Sequence, residues 1–238
     1  MLWIALAASQ ASIESSPLEY GVPLLLGVTG SIAAGKSLLC THLAKNFEAV
    51  HVDADREVHR LYEPDTEGFE RVVAEFGESI VGTDGVIDRR VLGAMVFGKP
   101  ERMEALRTAI GDIPAHFMTL LSRWREELPE NRLAVLEAVN LLENNYMTRA
   151  DAAWLVVTED ETAITRLMET RSLSREEANQ RLASAKDWRQ RAPAADRLFY
   201  NDGTKAAFLS EINEAISDTI TAYNEGRLPR PRWYEAQE

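Results

Sequence analysis

Short apolar runs alternate along this chain with longer stretches of mixed character. Leu24, Leu25, Leu26, Gly27 and Val28 form an apolar run that ends in a glycine-containing loop. That pattern predicts a strand covered on both faces. Residues 37–46 predict a helix, and residues 49–52 a second strand ending at Asp53-Ala54-Asp55. Residues 56–128 read as mostly helical, interrupted at Gly82-Thr83-Asp84-Gly85, with no clear strand. Strand character returns at 133–138 and at 153–157. Thr158-x-x-Glu161 and Ser174-x-x-Glu177 each match a helix N-terminal capping box and predict two charged helices. Residues 198–200 form a short strand before Asn201-Asp202-Gly203, and 205–223 a last helix that Pro229-Arg230-Pro231 cannot continue.

Strands alternating with helices predict an α/β fold, a parallel sheet with helices on both faces. The helical block at 56–128 then reads as an insertion over the carboxyl ends of the strands, where ligands bind in such folds. A core at 22–228 is expected to carry this insertion and a mobile segment at about 160–192, followed by a tail at 229–238. Residues 1–21 are expected to be a disordered extension: Leu2 to Ala8 is apolar but short, and no Lys or Arg precedes it.

Charge and cysteine content narrow the partners. Lys and Arg total 26 against 38 Asp and Glu, a formal net charge of −12, which disfavours general nucleic-acid binding. No apolar run approaches the roughly 20 residues that span a bilayer, so no membrane partner is expected. Cys40 is the one cysteine. An internal disulfide is thereby excluded, and a reducing, cytoplasmic compartment fits.

The chemistry concentrates in Gly30-Ser31-Ile32-Ala33-Ala34-Gly35-Lys36-Ser37, which matches the phosphate-binding loop (P-loop) G-x-x-x-x-G-K-[ST]. Glycines let the backbone curl so that successive N–H groups point at phosphate oxygens. The helix that starts at once turns its positive dipole end to the same anion. Lys36 supplies a cation for the β- and γ-phosphates, and the Ser37 hydroxyl suits Mg²⁺. Ile32, Ala33 and Ala34 are bulkier than the glycines often found inside such loops. With this motif the fold class becomes P-loop NTPase-type.

Asp53 and Asp55 sit at alternate positions of a strand end, so both can point toward the loop. A carboxylate there orients or deprotonates an attacking hydroxyl or holds a metal's water shell; it also fits an Asx turn capping the next helix. His51, Asp53, Asp55 and His59 invite a transition-metal reading, but Mg²⁺ held through Ser37 is the better expectation. Arg166, Arg171, Arg175, Arg181, Lys186, Arg189 and Arg191 form either a solvated charged face or a lid that closes cations over phosphates.

Together these residues resemble dephospho-CoA kinase. The resemblance runs from Gly27-Val28-Thr29-Gly30 and the P-loop to Val52-Asp53-Ala54-Asp55 and Asp88-Arg89-Arg90-Val91-Leu92-Gly93. It continues through Val96-Phe97-Gly98-Lys99-Pro100, Leu141-Leu142-Glu143, the start of the lid near Glu161 and Arg166, Ala195-Asp196 and Asn201-Asp202-Gly203. It covers about residues 24–223 and implies a nucleotide-binding core, a helical substrate-binding insertion and a lid. It also implies transfer of the ATP γ-phosphoryl to the ribose 3′-hydroxyl of dephospho-CoA, with Mg²⁺, in the last step of coenzyme A synthesis. By position, Asp55 is then the base, acting with Lys36 and Arg166. Asp53 and Arg90 join Asp55 on the substrate side, with Asp53 also assigned to the metal's water shell or to loop support. Gly30, Ser31, Ala33, Ala34, Gly35, Lys36, Ser37 and Leu38 bind the nucleotide, with Arg166 and Arg191 at the phosphates and Asn201 and Gly203 near the adenine.

Other functions on the same scaffold are a kinase for a nucleoside or a different pantetheine compound, or a nucleotide-binding regulator without phosphoryl transfer. The chain departs from the family at four places. Gly111-Asp112 stands where His-Pro is usual, and Glu137-Ala138-Val139-Asn140-Leu141-Leu142-Glu143 where Asp-x-Pro-Leu-Leu-x-Glu is usual. Thr170 falls on the lid's second arginine, with Arg171 one position late, and Ala185 on a lid glutamine.

Overall fold

The computed structural model describes residues 22–130 and 132–237, so the expected N-terminal extension lies outside the described residues. Its sheet consists of β1 (Leu24–Gly30), β2 (Val50–Asp53), β3 (Leu133–Glu137), β4 (Ala152–Val157) and β5 (Arg197–Tyr200), in the order β2-β3-β1-β4-β5. Every neighbouring pair is parallel. The helices are α1 (Lys36–Asn46), α2 (Ala54–Arg60), α3 (Glu67–Phe76), α4 (Arg89–Val96), α5 (Pro100–Ile110), α6 (Ile113–Glu127), α7 (Asp160–Arg171), α8 (Arg175–Ala183), α9 (Trp188–Arg191) and α10 (Lys205–Asn224).

β1 lies at the centre and all its residues are buried. Leu24, Leu26 and Val28 share one cluster with Leu39 and Leu43 of α1 and with Phe208, Ile212 and Ile216 of α10. Leu25, facing the other way, clusters with Phe117, Leu121 and Trp124 of α6. Alternation along one strand therefore covers the sheet on both faces, each buried leucine contributing about 1.5–3 kcal/mol. The strand order reverses beside β1, which opens the ligand crevice at the carboxyl ends of β1 and β3.

Between β2 and β3, α2–α6 build a second core from Tyr62, Val72, Phe76, Ile80, Ile87, Leu92 and Val96. Helix α6 serves both units, with Ile113 packed against this core and Phe117 against the sheet. The departure at Gly111-Asp112 makes the joint. Gly111 takes φ +116°, a conformation that favours glycine, at the end of α5, and the Asp112 carboxylate accepts the Ala115 N–H at 2.9 Å to cap α6.

The expected capping box at Ser174 and Glu177 is present in full. The one at Thr158 is not: α7 begins after Glu159 with no side-chain cap. Thr158 still lies at the end of β4, and its hydroxyl donates to Asp202 and to the Asn201 carbonyl. Asp202 itself accepts the Glu159 N–H at 2.9 Å, so the start of α7 is secured from the far side of β5.

The C-terminal tail folds back onto the body. Trp233 is 8% exposed within the α6-side cluster. Its indole N–H donates to the Leu142 carbonyl at 2.9 Å, while the Arg232 N–H donates to Asp196 at 2.8 Å. Among the described residues, no helix is long and apolar enough to cross a membrane.

Candidate active site

The P-loop is held by close backbone contacts. A side chain at Gly30 would put its Cβ 2.1 Å from the Val156 carbonyl oxygen, and that carbonyl accepts the Ser31 N–H at 2.9 Å. Gly35, at φ +99°, caps α1 where a Cβ would stand 2.5 Å from Asn201 Nδ2. The same amide donates to the Ala34 carbonyl at 2.7 Å, so Asn201 braces the loop from behind. The bulky inner residues have partners too, because Ile32 and Ala33 pack against Ile164 and Leu167 of α7 and Ala178 of α8. The Ser31 hydroxyl is buried without a partner. An orphan donor inside a curl of backbone N–H groups at a helix start fits a phosphate group.

Three cations converge here. Lys36 Nζ donates to the carbonyls of Gly30 and Ser31 at 3.2 and 2.9 Å. Its pKa lies below the ordinary lysine value because it is buried, with the Glu137 charge opposing that shift and Arg191 adding to it. Arg166 donates to the carbonyls of Ala33 at 3.2 Å and Asn201 at 2.7 Å, tying α7 to the P-loop. Arg191 is buried and donates to Thr29 Oγ1 and the Val139 carbonyl, both at 2.6 Å. Its Nε lies 3.1 Å from Glu143 Oε1, an ion pair in which the N–H is not aimed at the oxygen. Arg191 thus ties α9 to the end of β1 and to the segment after β3.

On the acidic side, the arrangement differs from the sequence reading. Asp53 caps α2: Oδ1 accepts the N–H groups of Asp55 at 2.9 Å and Arg56 at 3.3 Å, and Oδ2 lies 3.6 Å from Arg56 Nε. The side chain that meets Ser37 is Glu137, at the end of β3. Ser37 Oγ donates to its Oε1 at 2.8 Å, and His51 Nε2 lies 3.2 Å from its Oε2. Burial raises the Glu137 pKa. The hydrogen bonds from His51 and Ser37 and the charges of His51 and Lys36 outweigh that and hold the carboxyl below its ordinary value. Ser37 and ionised Glu137 form a hard oxygen donor pair at the loop's mouth, which fits Mg²⁺.

Asp55 stands in the first turn of α2. Desolvation raises its pKa, Asp53 raises it further, and His59 and Lys36 pull the other way. A carboxylate of raised pKa near a lysine matches the needs of a general base. Arg90 is 95% exposed on its side chain, in the first turn of α4, 3.9 Å from the helix-capping Asp88. The charge that reaches His59 and Tyr62 is that of its neighbour Arg89. Leu38 packs against the core and Gly203 occupies an exposed turn with open space around its Cα.

The structure therefore gathers Gly30, Ser31, Ala33, Ala34, Gly35, Lys36, Ser37, Arg166, Arg191 and Asn201 around one loop, while Asp53 is occupied as a cap and Arg90 faces solvent. Glu137 is the residue that sequence reasoning missed. Its signal was present as an acidic residue ending a fully buried strand. Its two oxygens let one carboxylate touch both Ser37 and His51.

A dephospho-CoA kinase family profile matches residues 24–207. A dephospho-CoA kinase from Shouchella clausii is 33% identical over 82% of this chain and 98% of its own length. One from Symbiobacterium thermophilum is 38% identical over 80% of this chain and 79% of its own. A solved structure from Thermus thermophilus is 29% identical and superposes with a TM-score of 0.67 over 82% of this chain and 97% of that one.

Proposed function

The chain belongs to the dephospho-CoA kinase family, and from that premise we propose how its own residues carry the reaction. The activity is ATP-dependent phosphorylation of dephospho-CoA in coenzyme A synthesis. The acceptor proposed is the ribose 3′-hydroxyl. The reading rests above all on one juxtaposition: the P-loop Ser37 hydroxyl on Glu137, with Lys36 and Asp55 each close enough to shift the other's pKa.

The P-loop backbone and the Ser31 hydroxyl take the β-phosphate side of ATP. Lys36 exchanges its two carbonyl partners for phosphate oxygens, which neutralises charge as the γ-phosphoryl group transfers. Arg166, riding on α7, brings its guanidinium with the lid, and Arg191 ties α9 to the end of β1. Ser37 and Glu137 would hold Mg²⁺, which when bound would supply positive charge to offset the charge developing on the phosphates. Asp55 takes the proton of the attacking hydroxyl, and α2 is capped by Asp53 so that Asp55 stays at the crevice. The α2–α6 unit receives the acceptor, with Arg89 and Arg90 supplying charge for its phosphates. A cytoplasmic setting suits the free, buried Cys40.

The test is an ADP-release assay with dephospho-CoA beside a panel of nucleosides, followed by NMR of the product. Turnover confined to dephospho-CoA with phosphate at the 3′ position supports the reading. Phosphate on another hydroxyl overturns the acceptor position, and turnover with nucleosides alone overturns the substrate.

A further inference from the structure

Cys40 on α1, His51 on β2 and Glu137 on β3 bring one thiol sulfur, one ring nitrogen and one carboxylate oxygen within 4.8 Å of one another. Cys40 is fully buried and Glu137 is 5% exposed. The His51 side chain is 21% exposed, so the trio has one flank open to water. Of the histidine–aspartate group that the sequence invited, only His51 belongs to this trio, and Asp53 turns away to cap α2.

We propose that Cys40, His51 and Glu137 form a transition-metal site that takes Zn²⁺, and that its occupancy inhibits phosphoryl transfer by withdrawing Glu137 from the P-loop. The donor set selects the ion. A thiolate and an imidazole are poor ligands for Mg²⁺ and good ones for Zn²⁺, which is commonly held by three protein ligands and a water. Bond lengths of about 2.0–2.3 Å around a tetrahedral Zn²⁺ place its donors roughly 3.3–3.8 Å apart. The present spacing thus needs a modest contraction and no rearrangement of the strands.

The protonation balance is simple. The thiol S–H bond breaks, the sulfur–zinc bond forms, and the proton leaves to solvent past His51. His51 binds through the neutral Nε2 lone pair, giving up its contact with Glu137 Oε2. The Cys40 sulfur lies within 4.8 Å of both other donors, so the arriving cation compensates the thiolate as it forms. Inhibition follows because a carboxylate drawn toward Cys40 is no longer free to serve Ser37 and its Mg²⁺. The inhibitory step rests on the role proposed above for Glu137, whereas the binding step does not.

Cys40 is the chain's one cysteine, which makes Co²⁺ a site-specific probe. The intact protein, without nucleotide, is titrated with Co²⁺ alone and read for a thiolate-to-cobalt charge-transfer band. The band is expected to saturate at one equivalent, to vanish on adding Zn²⁺, and to be absent in Cys40→Ala. His51→Gln, with its partly exposed side chain, is expected to weaken the same band at least tenfold in Co²⁺ affinity. Kinase assays at saturating MgATP are expected to show Zn²⁺ inhibition that needs at least tenfold more metal in Cys40→Ala, whose thermal melt confirms folding. A wild-type protein without the band overturns the site, as does Zn²⁺ binding of equal strength in wild type and Cys40→Ala, which marks adventitious surface binding. A normal band with no Zn²⁺ inhibition keeps the site and overturns its inhibitory effect.

Discussion

Asn201, Arg166 and the Val156 carbonyl hold the P-loop through hydrogen bonds inside the protein, whereas on the proposed acceptor side Arg90 stands open to solvent. The donor half shares the sheet's own clusters. The acceptor half keeps a separate core that meets the sheet side through Val58 and Ile113. Each construction suits its task. Phosphate neutralisation needs dipoles and cations fixed beforehand, since reorganising them during transfer would add to the barrier. An acceptor site filled by a large charged substrate can leave its guanidinium hydrated until the substrate replaces the water.

The largest effect should come from the donor half. Lys36→Ala removes the cation at the transferring group and should lower kcat by ~10³–10⁵-fold, the range for losing a positive group from phosphoryl transfer. The far-UV spectrum and melting curve should persist, because Lys36 bonds only two loop carbonyls. More than about a tenth of wild-type turnover, within roughly 1.4 kcal/mol, would dissociate this loop from catalysis.

Asp55→Asn tests the acceptor half. It keeps the size of the side chain and removes the proposed base, so kcat should fall by ~10²–10⁴-fold with the ATP KM unchanged. If ATP binding weakens in step with kcat, the two halves are not separate in the way their packing indicates.

Asn201→Ala sharpens the comparison from behind the loop. The Ala34 carbonyl would lose its buried partner, at a cost of about 1–3 kcal/mol. Chemical denaturation should register that loss, and the ATP KM should rise while the dephospho-CoA KM holds.

The P-loop itself was legible because its parts are contiguous: a strand, a glycine loop, a lysine and a helix start within a few residues. Glu137 was not, since its partner Ser37 lies 100 positions away and only the β1–β3 register brings their ends together. The same limit explains Thr158, whose local pattern promised a cap while its hydroxyl turned to Asp202 beyond β5, which also takes the Glu159 N–H. It also explains Trp233, whose docking on Leu142 joins segments 91 positions apart. Local alternation located the sheet, the insertion and the final helix. Pairwise tertiary contacts decided which carboxylate met the P-loop.

The smallest effect is the most discriminating. Asp53 and Glu137 both end strands at the crevice, and the geometry gives Glu137 to Ser37 and leaves Asp53 as a cap. Asp53→Asn preserves the capping oxygen, because asparagine accepts the same two N–H groups, and it loses only the exposed pairing with Arg56. Stability should drop by no more than about 0.5 kcal/mol. Its effect on Asp55 has a definite sign. The Asp53 charge helps hold the Asp55 pKa up. Removing it favours the ionised form, so the pKa falls and the base stays active to lower pH. The acid limb of the kcat profile should therefore move to lower pH while the Mg²⁺ concentration for half-maximal rate stays the same. Glu137→Gln should show the opposite pair, a raised Mg²⁺ demand. If Asp53→Asn instead raises the Mg²⁺ demand and leaves the acid limb in place, Asp53 serves the metal and the division of labour at the two strand ends is reversed.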